Sequence, residues 1–125
     1  MLLTGATGFL GIHVLKELID NSNCRITCLV NGKTSISPES RLRLQLFYYF
    51  DKDFEELFEN RINVVECNIT DAVGIAELVS EEFDTVINCA ASVKHFADFD
   101  FLKQVNVDGV ENLIKLCLEK NARLI

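Results

Sequence analysis

Two rhythms of apolar and polar positions alternate along the chain. In one, short runs are almost wholly apolar. In the other, apolar residues recur every three or four positions, as on one face of a helix. Leu2, Leu3 and Thr4 read as the end of a short strand. From Phe9 to Asp20, Ile12, Leu15 and Ile19 share one stripe, which predicts a helix. CRITCLV (24–30) predicts a second strand. Ser37 is suited to cap the next helix and Pro38 to open it. Leu42, Leu46 and Tyr49 follow at helical spacing, and FEELFE carries that pattern on to Glu59. INVVEC (62–67) predicts a third strand, Asp71 to Ser80 a short helix, and DTVINCA (84–90) a fourth strand. Phe99 to Lys120 predicts one long helix with Leu102, Val105, Gly109, Leu113 and Cys117 inward, and ARLI begins a fifth strand.

Strands that alternate with helices imply parallel strands joined by right-handed crossovers. The strands are apolar runs and do not alternate cleanly, so both faces of the sheet should be covered. No repeat, low-complexity stretch or linker divides the chain, and residues 1–125 read as one α/β unit.

Composition narrows the class. The chain has 125 residues, 49% of them hydrophobic and 25% charged, the balance of an ordinary globular domain. No apolar run approaches the roughly 18 residues that cross a bilayer, and no charged region precedes the N-terminal apolar residues as in a secretory signal. The net charge of −7 disfavours nucleic acid and anionic membrane as partners, but a single small anion needs only a local positive pocket. The five cysteines contain no CxxC pair, and read as free thiols in a reduced, cytoplasmic interior. Only His13 and His95 could join them in a metal site.

The chemistry begins at TGATGFLG (4–11), between the first strand and the first helix. Its spacing is Gly5-x-x-Gly8-x-x-Gly11. Gly5 permits a tight turn, Gly8 lets backbone approach a pyrophosphate, and Gly11 allows close packing of the helix. The helix start then offers free N–H groups and a positive dipole end to phosphate. At the end of the second strand, where a carboxylate would bond a ribose 2′-hydroxyl, the chain has Asn31, followed by Lys33, Arg41 and Arg43.

The full stretch TGATGFLG resembles the extended branch of the short-chain dehydrogenase/reductase superfamily. RINVVECNITD and DTVINCAASVKHFADFDFLKQVNVDGVENLIKLC look more specifically like the thioester-reductase domains of non-ribosomal peptide synthetases and carboxylic acid reductases. The resemblance implies a Rossmann-type doubly wound parallel sheet, incomplete because the chain stops at the fifth strand, with no substrate domain. It implies NADP(H) as cofactor. Thr4, Gly5, Thr7, Gly8, Phe9, Leu10 and Gly11 would form the phosphate turn. Asn31 and Arg41 would lie at the 2′-phosphate, Asn68 and Ile69 at the adenine, and Asn88, Ala90 and Ala91 along the rest of the cofactor. Asn106 would help order the active site. The substrate would be an acyl thioester on a carrier protein, within a larger multidomain synthetase, reduced to aldehyde or alcohol.

Some residues depart from the family pattern. Asn31 replaces one Arg of the phosphate grip, and Cys67–Asn68 stands where the family has Gly-Asp. The Ser/Thr, Tyr and Lys that move the proton in these reductases have no counterpart in the expected place. Tyr48 and Lys52 satisfy Tyr-x-x-x-Lys by letters only, since they precede the third strand. Lys94 and His95 are expected to shape a substrate channel and not to donate the proton. The aromatic run FYYF (47–50) reads as core plus an interdomain or dimer contact. A nucleotide-binding or sensing module without catalysis, or a truncated remnant, are the alternative readings. A reductase of nucleotide sugars or sterols is a further one.

Overall fold

The computed structural model of the protein describes residues 1–32, 35–93 and 98–125. Five strands form one parallel sheet: β1 (Leu2–Thr4), β2 (Ile26–Val30), β3 (Ile62–Glu66), β4 (Thr85–Asn88) and β5 (Arg123–Leu124). Their spatial order is β3-β2-β1-β4-β5. The chain therefore winds outward one way through β2 and β3, then returns to start β4 on the other side of β1. The gap between the carboxyl ends of β1 and β4 is the switch point, where ligands of such sheets lie.

Side chains of successive strand residues go to opposite faces, and the core divides accordingly. Leu3, Ile26, Cys28 and Val30 pack with Ile12 and Leu15 of α1 (Phe9–Asn21) and Leu42 and Leu46 of α2 (Pro38–Phe50). Leu2, Leu29 and Val86 pack on the other face with Ile75 of α4 (Ala72–Glu77) and Leu113, Leu116 and Cys117 of α6 (Gly109–Lys120). All three residues of β1 are fully buried, as the central strand of a sheet covered on both faces requires. Each of these Leu and Ile side chains stabilises the fold by about 1.5–3 kcal/mol through removal from water.

Capping explains several boundaries. The Ser37 hydroxyl accepts from Ser40 N–H and Pro38 opens α2, as expected. The Asp71 carboxylate accepts from Val73 and Gly74 N–H at the start of α4, and a 3₁₀ turn (Leu78–Ser80) follows. The expected continuation of the second helix to Glu59 is corrected. Helix α2 stops at Phe50, because Asp51 turns left-handed (φ 47°) and sends its N–H back to Phe47 C=O. Asp53 then accepts from Glu55 N–H and starts a separate α3 (Glu55–Asn60). Short polar side chains compete with helix backbone in this way. The helix expected from Phe99 to Lys120 is also three pieces: α5 (Phe99–Lys103), a π-helical stretch Gln104–Asp108, and α6. The second and fourth strands are shorter than their apolar runs.

The aromatic run 47–50 divides between core and surface. Phe47 and Tyr48 are exposed, and only Phe50 packs on the core. Tyr49 meets the rings of Phe9 and His13 edge-on. No described helix is long and apolar enough to cross a membrane.

Candidate cofactor site at the carboxyl ends of the strands

The loop after β1 is shaped by what its glycines exclude. Gly5 is left-handed (φ 66°), and a Cβ there would stand 2.6 Å from Ala90 N and from the Cys89 carbonyl. Gly5 thus lets the loops after β1 and β4 touch at the switch point. A Cβ on Gly11 would strike the Gly5 carbonyl oxygen, so Gly11 fits the helix against the turn itself and not against the sheet. Gly8 N–H donates to Gly5 C=O at 2.8 Å and closes the turn. The first bond of α1 runs from Ile12 N–H to Gly8 C=O. The N–H groups of Phe9, Leu10 and Gly11 lie ahead of that bond, at the positive end of the helix dipole. Gly8, Phe9 and Leu10 are exposed. An open helix start of this kind can receive an anion.

A cavity of about 520 Å³ opens beside this turn. That size lies within the range of small-molecule and cofactor sites. Of the residues expected from sequence, Gly5, Thr7, Gly8, Asn31, Asn68, Ile69, Ala90 and Ala91 line it. The remaining ones stand around it in other ways.

Thr4 is fully buried. Its hydroxyl donates to Asn88 Oδ1, and Ala90 N–H donates to both Thr4 Oγ1 and Asn88 Oδ1, at 3.3 and 3.2 Å. Thr4 and Asn88 therefore hold the post-β4 loop from beneath and leave Ala90 and Ala91 at the surface of the cavity. Arg41 reaches back from α2, and its Nη1 donates to Asn31 C=O. That bond holds a guanidinium at the carboxyl end of β2. Arg43 is committed elsewhere, to Glu39 at 2.8 Å and Glu55 at 3.5 Å. Lys33, Lys94 and His95 lie outside the described residues.

At the end of β3, Asn68 Oδ1 accepts from Thr70 N–H at 3.2 Å. An amide oxygen has two lone pairs, so one acceptor position remains for a ligand. The Cys67 sulfur sits against α4, 3.2 Å from where a Cβ on Gly74 would be. Gly74 thus makes room for the Cys67 side chain. Burial pushes the Cys67 thiol up, with Asp71 and Glu77 adding to the effect, and burial alone pushes up Cys89. Both line the cavity, and burial disfavours the thiolate that a nucleophile needs.

Asn106 lies in the π-helical stretch and clamps the loop after β4. Ser92 N–H donates to Asn106 Oδ1 at 2.8 Å, and Asn106 Nδ2 donates to Ser92 C=O at 2.9 Å. Both polar functions of one side chain are used on one backbone residue. π-Helical turns occur often at functional sites, and here the turn presents the clamp. Sequence reasoning missed Phe101 and Gln104, which form the wall beside it. No sequence signal marks a π turn, so which face of that segment meets the cavity was not readable.

Among the described residues lining the cavity there is no Tyr, Lys or His. Tyr48 is 79% exposed on α2, and Lys52 stands over the Phe54 ring instead. The arrangement can receive an anion through backbone N–H groups and small side chains, with no tyrosine–lysine pair among the described residues that line it.

The NAD-binding family described as Male sterility protein matches residues 3–125. A thiolation-reductase di-domain from an archaeal non-ribosomal peptide synthetase is similar in structure, with a TM-score of 0.92 and 43% identity over 98% of this chain and 33% of that one. The terminal R domain from the myxalamid PKS-NRPS biosynthetic pathway gives a TM-score of 0.83 and 32% identity, again over 98% of this chain and 33% of that one. The hybrid PKS-NRPS synthetase phm1 of Pyrenochaetopsis sp is 31% identical over 99% of this chain, which is 3% of that synthetase. The chain thus spans a third of these solved chains and a small part of the synthetase.

Proposed function

This chain belongs to the NAD-binding family described as Male sterility protein, and from that premise we propose that it holds NADP(H) for a reductase of carrier-bound acyl thioesters. At the coarser level it is an NAD(P)-binding, reductase-like α/β domain related to the terminal reductase domains of peptide and polyketide synthetases. We assign all 125 residues to the cofactor-holding unit, in the cytoplasm and within a larger synthetase.

One observation carries the reading: the open start of α1 adjoins, at Gly8, a cavity at the switch point, beside a turn that requires glycine at position 5. The N–H groups of that helix start would receive the pyrophosphate. Arg41 would meet the 2′-phosphate beside Asn31, and Asn68 would accept from the adenine amino group. Ala90 and Ala91 leave room for the nicotinamide ribose, on a loop that Thr4, Asn88 and Asn106 hold in place. When bound, the nicotinamide supplies the hydride. The acyl thioester as substrate, and aldehyde or alcohol as product, are supported by the 43% identity to a thiolation-reductase di-domain.

The test is calorimetric titration of the intact protein with NADPH, followed by NADPH oxidation with an acyl thioester on its carrier domain. Saturable binding and thioester-dependent oxidation are expected. Failure to bind either NADPH or NADH would overturn the reading. The cavity's lack of Tyr, Lys or His among the described residues favours one second reading, a binding module without turnover. Binding with no oxidation of NADPH would select it.

A further inference from the structure

Strand β2 ends without the carboxylate that would bond a ribose 2′-hydroxyl, but the fold brings one there from the neighbouring strand. Glu66 is the last residue of β3, in register with Val30, the last residue of β2. Cys67 N–H donates to Val30 C=O at 3.2 Å, so the two strands stay paired to their ends. The Glu66 carboxylate lies over the backbone of Gly32, in the space that a Cβ on Gly32 would need. The ion pairs among the described residues engage other carboxylates, and none engages Glu66. On the same two-residue segment, Arg41 holds Asn31 C=O. A cation and an anion therefore flank Asn31 and Gly32. This is where a doubly wound sheet recognises the 2′ position of the adenosine ribose: an acidic group there bonds a hydroxyl, and an Arg accommodates a phosphate.

We propose that Glu66 is a specificity-determining residue at that ribose, where its carboxylate opposes the 2′-phosphate that Arg41 attracts and accepts from a bare 2′-hydroxyl. The inference rests on the dinucleotide reading above and sharpens it: the site takes NADP(H) with a preference that Glu66 narrows, and it also accepts NAD(H). The carboxylate is exposed, so its repulsion is screened and its effect is moderate. Glycine at position 32 is what makes the arrangement sterically open, since any side chain there would displace the carboxylate.

The experiment is titration of the intact protein with NADPH and with NADH, for the wild type, Glu66→Gln and Arg41→Met. Glu66→Gln keeps the shape and removes the charge at an exposed position, so folding is not at issue; circular dichroism checks it. The expected result is a ratio of NADH to NADPH dissociation constants that rises roughly three- to tenfold in Glu66→Gln, less at high salt. The ratio should fall in Arg41→Met. If the ratio moves in Arg41→Met but stays unchanged in Glu66→Gln, the role given to Glu66 is wrong while the dinucleotide reading stands. If the wild type binds neither dinucleotide, both fall together.

Discussion

At the amino ends of the strands lies a hollow of about 870 Å³, lined in part by Arg25, Arg61, Asn63 and Asp84. At the carboxyl ends lies the smaller cavity of about 520 Å³. In the larger hollow the Arg61 side chain is already engaged. The Arg61 guanidinium donates to Leu18, Ile19 and Cys24 C=O at 3.2 Å and to Ser22 C=O at 2.8 Å, and so satisfies the carbonyls at the end of α1. On the other face Lys120 does the same for Val79 and Glu81 C=O, at 2.9 and 2.6 Å. The two ends of α1 are thus opposites. Its carbonyl end is closed by an internal cation, and its N–H end adjoins a cavity at Gly8. Volume is not what distinguishes the two ends of this sheet. What separates them is the state of α1: its last carbonyls are bonded by Arg61, while Phe9, Leu10 and Gly11 N–H precede its first internal bond.

Substitution at either end should break a different property. The largest effect is expected for Gly5→Ala. A left-handed φ costs about 1–2 kcal/mol in a residue with a Cβ, and the clash with Ala90 N and the Cys89 carbonyl adds about 1–3 kcal/mol of overpacking. NADPH affinity should fall by roughly a hundredfold or more, because the turn and the β4 loop move apart. Calorimetry with a denaturation curve measures both quantities. Arg61→Ala comes next. It should lower stability by about 2–3 kcal/mol through loss of charge-assisted bonds, and leave NADPH affinity within about twofold, since it acts at the far end of α1. An affinity loss in Arg61→Ala as large as its stability loss would erase the distinction between the ends. The Glu66→Gln and Arg41→Met pair is the smallest effect, confined to the choice between NADPH and NADH.

Much of this was legible in sequence, for physical reasons that also mark where legibility ended. The order of strands and helices, the capping by Ser37 and Pro38, and the glycine turn all depend on neighbours within a few residues. Periodicity and turn chemistry register these directly. The break at Asp51 was missed because apolar spacing happens to resume at Phe54, across a left-handed residue that spacing does not register. The π turn at Gln104–Asp108 carries a helical pattern and differs only in its hydrogen bonding. Arg61 and Glu66 act across 37 to 43 residues and across two strands respectively. Nothing near them in the chain shows it, because only the pairing of β2 with β3 sets Glu66 beside Gly32. The room for the Cys67 side chain likewise comes from Gly74, seven positions on and in another element.

The most direct test of the central claim is amide hydrogen exchange on the intact protein with and without NADPH, read segment by segment. The account predicts that the cofactor slows exchange at residues 5–12 and 88–92, where the α1 N–H groups and the post-β4 loop meet. Residues 58–63, at the opposite end, should stay unchanged. Protection centred on residues 58–63, or none at the glycine turn under saturating NADPH, would contradict it.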